Sequence, residues 1–427
     1  MTNQNKEETK LDRDGFPENA PTALPTFYRT YSRKQGSHRE TGADVRKRGL
    51  QGMKDLGNYT PEELDLIETY WEQYKSMPSG RWQWIGGTGF ADKPGSNYSA
   101  YNCTSVPILP WAEDTWGVFG YNFDTLMQGC GSGATIEKEN IEKFPLFIRE
   151  LKLHQVSFPG AYKIKQEDTY IDAVTSDTVY IAIGDTRLGW VRAYTLLLEL
   201  ASKQSDKLAS TLNVYIDLGY IRKDGQPIKG FGGVTNSYAF YPGLEAVKKV
   251  ISDYQGKPLD VKAVCLLLNI AAKIAVAGNV RRSARIDQAP ANDIQFKELK
   301  DNLYTQDSEG NWKINLDNEA LRFANHTRMF KKKPSLEEVR EAVEKQYYSS
   351  EGAIMYIPEA IARANSDILD TREKQITFIE AYEESEEKGK DYLENAFLNT
   401  YQVQCDLREL DHRIKRYNTN PCGEIIG

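Results

Sequence analysis

Cysteine and histidine are scarce in this chain of 427 residues. There are five of the first, Cys103, Cys130, Cys265, Cys405 and Cys422, and four of the second, His38, His154, His326 and His412. A zinc site clusters Cys and His at short spacing, and these are scattered, so no metal site is expected. The histidines form no pattern resembling a protease or transferase signature, which leaves a hydrolytic cysteine without its usual base. Long apolar runs are missing too: the longest, Ala263 to Ala277, is broken by Asn269 and Lys273 and falls short of the roughly 18 to 20 residues of a membrane span. The first eight residues are polar and lack the apolar segment of a secretory signal, so a cytoplasmic address with reduced cysteines is expected. Nor is there a basic excess. A net charge of −7 with 27% charged residues offers no global field for duplex nucleic acid, so anionic ligands must be held by local groups.

What is present suits two or three domains, or one large barrel with an appended lobe. Residues 1–40 are polar and punctuated by proline and read as a loosely ordered arm with a Tyr28/Tyr31 patch. Residues 41–95 read as a helical region. In it Thr60-Pro61-Glu62-Glu63 is a capping box followed by Leu64, Ile67, Tyr70, Trp71 and Tyr74 at helical spacing. Pro78 to Gly89 then reads as a Gly-rich loop. Beyond it, Ser99–Val106 has strand composition, a helix is predicted from Gly189 to about Lys203, and a buried one from Leu259 to Ala277 capped by Gly278. Ser335-Leu336-Glu337-Glu338 opens a helix that runs into the strand-like Gly352–Ile357, a βαβ rhythm that implies parallel pairing. Residues 371–399 are acidic and predicted to form a solvated helix pair.

The last stretch organises the reading. In Asn420-Pro421-Cys422-Gly423-Glu424 the Asn, Pro and Gly favour a tight turn with Cys422 at its tip. Two residues on, Glu424 points to the same side of a near-extended backbone. A thiol and a carboxylate sharing one small volume could serve covalent thiol chemistry, metal binding or radical chemistry.

The pentapeptide resembles the thiyl-radical motif of ribonucleotide reductases. Six further stretches resemble the monomeric, adenosylcobalamin-dependent (class II) triphosphate reductases in the same order: Met77–Arg81, Asn102-Cys103, Gly129–Gly133, Asp185–Trp190, Pro227–Gly233 and Gly278–Ala284. After Gly233 the pattern departs from that family, which continues with a Ser-Gly-Pro type turn where this chain has Val234-Thr235-Asn236. The resemblance implies an α/β fold, the N-terminal half of a ten-stranded α/β barrel over 96–427. An inserted effector-site region is implied at 145–235.

The resemblance also implies roles. Cys422 would be the transient thiyl, Glu424 the general base, Asn420 a group that orients substrate hydroxyls, and Cys103 one of two reducing thiols. Asn279, Arg281, Arg282 and Ser283 match the loop that couples effector to substrate choice, and Asp185 and Arg187 match the effector region. Implied partners are adenosylcobalamin, a ribonucleoside triphosphate, a deoxynucleoside triphosphate effector and a thioredoxin-type or dithiol reductant, with neither membrane nor nucleic acid. The partner thiol of Cys103 belongs beyond Gly427, so activity is expected to need a C-terminal half, through a split gene, an intein-interrupted gene or a truncation. Two other readings stand beside this one: an inert or regulatory deoxynucleotide-binding fragment, and a glycyl-radical reductase of the same barrel class.

Overall fold

The computed structural model describes residues 16, 22–91, 100–226, 234–275, 284–349, 351–420 and 425–426, with the side chains of 172–174 and 425–426 excepted. The described residues up to Asn102, together with Val234, form one compact unit, and those from Cys103 onward form a second.

The first unit is helical. Helices Ala23–Thr30, Gly42–Leu56, Pro61–Glu72 and Gly80–Ile85 enclose a small core of Phe16, Phe27, Val45 and Trp71. Thr41 and Thr60 both close capping boxes, with Asp44 and Glu63, which satisfies the free amides of each first turn. Two expectations are corrected here. The stretch expected as a loose arm is ordered over 22–40, as a helix and a Lys34–Gln35/His38–Arg39 hairpin, because Phe27 is driven into the core and Glu40 is buried against Arg48 at 2.8 Å. The expected Gly-rich loop contains a short helix, Gly80–Ile85, capped by the Ser79 hydroxyl.

Nine strands of the second unit make two sheets. They are β1 (Cys103–Pro107), β2 (Gly131–Thr135), β3 (Glu150–Ser157), β4 (Tyr170–Val174), β5 (Thr178–Ala182), β6 (Thr211–Asp217), β7 (Ala284–Pro290), β8 (Ala324–Phe330) and β9 (Ala353–Tyr356). The larger sheet runs β9-β8-β7-β2-β1 with every pairing parallel. Parallel neighbours require long crossovers, and helices Gly117–Met127, Val261–Ala275 and Leu336–Ser349 lie in them. The smaller sheet runs β3-β6-β5-β4, parallel except for the β4–β5 pair.

Helix Arg187–Ser202 is buried nearly all round and packs on Gly117–Met127, so one hydrophobic core is continuous from the larger sheet to the smaller one. The expected solvated helix pair forms as Arg372–Glu384 and Glu386–Tyr401. Its glutamates mask an apolar seam in which Phe378, Tyr382 and Leu393 are buried in a second cluster.

The face of β7 turned toward the helices carries a buried ion pair. Arg285 Nη2 lies 2.6 Å from Asp287 Oδ1, and neither side chain is exposed. Asn269 of helix Val261–Ala275 donates to Asp287 Oδ2 at 2.7 Å, and Arg285 Nη1 donates to Asn122 Oδ1 at 2.9 Å. Burial pushes the Asp287 carboxyl up, but Arg285 together with His326 and Asn269 more than offsets this and holds it below the usual range. A buried pair is costly to break and often neutral to replace by apolar groups. Asp287→Leu should therefore destabilise the chain by ~3–5 kcal/mol in urea unfolding, and the double variant Arg285→Met/Asp287→Leu should recover most of that loss. Losses that simply add would contradict this.

Candidate functional site

The site is built on the opposite face of the larger sheet. Side chains alternate along a strand, and register aligns Cys103 with Gly131, Ser105 with Gly133 and Ile286, and Thr135 with Gln288. All of these lie on the face away from the helices. Three of the residues contributed by β1 and β2 to this row, Ser105, Gly131 and Gly133, are very small, and the reason is steric: a second segment of chain lies against them.

That segment is Tyr417–Asn420, whose strand Asn418–Thr419 packs on β1 and β2. The Tyr417 hydroxyl donates to Glu137 Oε1 at 3.0 Å, and the Asn418 amide oxygen takes a short hydrogen bond from the Thr135 hydroxyl. Thr419 N–H donates to Gln288 Oε1 at 3.0 Å. A β-carbon added to Gly133 would sit 2.0 Å from the Thr419 carbonyl oxygen and 2.8 Å from Ser105 Oγ. Asn420 is 1% exposed. Across the motif, Asn418–Thr419 pairs antiparallel with Ile425–Ile426.

Of the residues singled out from the sequence, Cys103 and Asn420 are thus brought to the same side of the sheet. Cys103 is a half-buried cysteine, in no disulfide, at the start of β1. Cys422, Glu424, Asn279, Arg281, Arg282 and Ser283 lie outside the described residues. Asp185 and Arg187 do not pair with each other. The Asp185 carboxylate accepts from Arg222 N and Nε at 2.9 Å, while Arg187 makes a short ion pair with Asp124 on helix Gly117–Met127.

Sequence reasoning missed Gln288, Thr135 and Glu137, which seat the terminal segment. The alternating small residues of Gly131-Ser132-Gly133-Ala134-Thr135 were the available signal. Among the described residues one three-donor group that could hold a metal occurs, Cys265, Asp287 and His326. Arg285 already supplies the cation that Asp287 needs, and burial keeps the Cys265 thiol protonated.

A family profile for the B12-dependent ribonucleotide reductase insertion domain matches residues 157–250. An adenosylcobalamin-dependent ribonucleoside-triphosphate reductase of Levilactobacillus brevis is 26% identical over 342 residues, 70% of this chain and 45% of the relative. The enzyme of the same name from Lactobacillus leichmannii is 28% identical over 311 residues, 64% of this chain and 42% of the relative. A crystal structure of a B12-dependent (class II) ribonucleotide reductase superposes with a TM-score of 0.58 at 22% identity, over 76% of this chain and 47% of that one. Over these stretches the chain is similar to B12-dependent, class II ribonucleotide reductases. It spans less than half the length of the curated relatives it matches.

The five parallel strands are consistent with part of the barrel fold of that class II structure. Strands β4–β6 and helix Arg187–Ser202 fall within the stretch matched by the insertion-domain profile, and helix Phe240–Asp253 begins in it. Gly133→Ala should push the Thr419 carbonyl off β2 and release the Thr419–Gln288 hydrogen bond. Amide hydrogen exchange at Thr419 is then expected to accelerate at least tenfold, the equivalent of about 1.4 kcal/mol, with exchange in helix Arg187–Ser202 unchanged. Unaltered protection of Thr419 would mean that the segment is not seated on Gly133.

Proposed function

We propose that this chain carries the radical cysteine and one reducing thiol of an adenosylcobalamin-dependent ribonucleoside-triphosphate reductase, and that it works joined to a C-terminal half. The observation that supports this reading best is the seating of Tyr417–Asn420 across β1 and β2. It delivers the segment running into Cys422 to the side of the sheet on which Cys103 begins β1.

The chemistry follows from the leaving group. A 2′-hydroxyl leaves reluctantly unless the adjacent carbon is a radical, and a thiyl can abstract hydrogen from such a carbon reversibly. In this proposal Cys422 takes the 3′ hydrogen atom, Glu424 accepts the 3′-hydroxyl proton as general base, and Asn420 orients the substrate hydroxyls. The 2′-oxygen departs as water. Cys103 and its partner thiol supply two electrons and two protons and end as a disulfide, and Cys422 returns its hydrogen atom to C3′. A thioredoxin-type or dithiol reductant then reopens the disulfide.

Adenosylcobalamin, when bound, supplies the first radical equivalent. No described residue of this chain is assigned to hold it. Asn279, Arg281, Arg282 and Ser283 are proposed to couple a deoxynucleotide effector to the choice of base. Asp185 and Arg187 are proposed to shape the effector region through their pairings with Arg222 and Asp124.

The test is reconstitution. Incubated alone with adenosylcobalamin, a ribonucleoside triphosphate and dithiol, this chain should yield no deoxynucleotide; joined to a class II C-terminal half it should turn over. In the joined protein Cys422→Ser should reduce product to background, and Cys103→Ser should abolish multiple turnovers. Deoxynucleotide binding with no activity in any complemented form would favour a regulatory fragment and contradict the proposal.

A further inference from the structure

The face of β8 turned away from the Tyr417–Asn420 segment carries a basic cluster that ribonucleotide reduction does not use. Strand alternation puts His326, Arg328 and Phe330 on that face, where Lys297, Lys300 and Lys345 join His326 and Arg328 around a cavity of about 10 Å³. Three of the four formal cations are balanced. Lys297 pairs with Glu341 at 2.5 Å, Lys345 with Asp301 at 2.6 Å, and Lys300 makes short contacts with Glu351 and the Ala324 carbonyl.

Arg328 is the exception. It is 5% exposed, and its Nε and Nη2 are buried without an acceptor. Glu338 and Glu341 act on it only through their fields, since Glu338 is hydrogen-bonded to Ser335 and Glu341 to Lys297. The second is His326 Nε2, which makes no hydrogen bond but lies 3.9 Å from the Asp287 carboxylate that Arg285 neutralises, on a ring 6% exposed and stacked on Phe296 with centroids 4.9 Å apart. Burial drops the His326 pKa to about 3, so the ring is neutral and can donate from Nε2 without adding charge.

Buried donors left without acceptors are rare because each has lost its water and gained nothing. The cavity has room for about one water-sized occupant, and the chemistry of its wall selects which. A water could donate to Glu351, which accepts from Lys300 and from the His326 amide at 3.2 Å, but being neutral it would leave the buried Arg328 charge unpaired. An occupant that only accepts satisfies Arg328 and His326 together and cancels the surplus positive charge.

We propose that this cavity is an anion site in which Arg328 Nε and Nη2 and His326 Nε2 hold one compact anionic atom. That atom is either a free halide or a single oxygen of a phosphate reaching in from solvent. The occupant would neutralise the buried Arg328 charge in a cavity also lined by Phe296, Lys297 and Lys345, so its binding reads out as stability and needs no enzymatic activity.

The test is thermal unfolding of the chain at constant ionic strength, with chloride or inorganic phosphate exchanged against the bulky sulfonate MES. A saturable rise in Tm with chloride assigns a halide, and a rise with phosphate alone assigns the oxoanion; Arg328→Met should be insensitive to both. Should that variant fail to fold, crystals of the unaltered chain soaked in bromide decide, with an anomalous peak expected between Arg328 and His326. A flat Tm in both anions, an equal rise in Arg328→Met, or a bonded water in place of bromide would overturn the proposal.

Discussion

The architecture depends on a steric constraint: a stretch of polypeptide must lie across the parallel sheet with its carbonyl against the backbone of β2. Thr419 oxygen would be only 2.0 Å from any β-carbon at Gly133. From this follow the small residues of β2, the polar Gln288 on a face where parallel strands ordinarily carry branched apolar groups, and the buried hydrogen bond that satisfies the Thr419 amide. The same row includes Cys103. Three parts distant in sequence, near residues 103, 133 and 419, are therefore brought together by one requirement for space.

The two faces of the sheet divide the work. Toward the helices the rows are sealed by core side chains and by Arg285–Asp287, whose partners Asn122 and Asn269 reach in from two different helices. This clamp ties β7 to helix Val261–Ala275. Toward the other face polar groups are kept for the terminal segment. A sheet polar on both sides would be poorly stabilised; here the buried ionic network and the large apolar core on the helix side leave the other face to the polar groups that seat Tyr417–Asn420.

Much of the scaffold was legible because local signals agreed with the fold. Capping boxes at Thr60 and Ser335 and the apolar spacing behind Trp190 placed helices whose described bounds, Pro61–Glu72, Leu336–Ser349 and Arg187–Ser202, follow from the same residues. Strand β2 was not legible: Gly-Ser-Gly-Ala-Thr has poor strand propensity and pairs only because β1 and β7 hold it on both sides. The acidic surface of 372–401 concealed Phe378 and Leu393, since charge count says nothing about the narrow seam a helix buries. At the site, Cys103 and Asn420 could be named from motif resemblance. Gln288, Glu137 and Thr135 could not, because their role exists only once strands far apart in sequence are in register.

The central claim is that Cys103 and Cys422 share one reaction volume, and it is tested most directly by a short thiol-to-thiol cross-linker. Cys130, Cys265 and Cys405 are buried and in no disulfide and would be replaced by Ser or Ala, leaving the two thiols in question. The account predicts an efficient intramolecular Cys103–Cys422 cross-link in the folded chain that is lost in urea and weakened by Gly133→Ala. Single labelling of both cysteines without any cross-link in the folded state would contradict it.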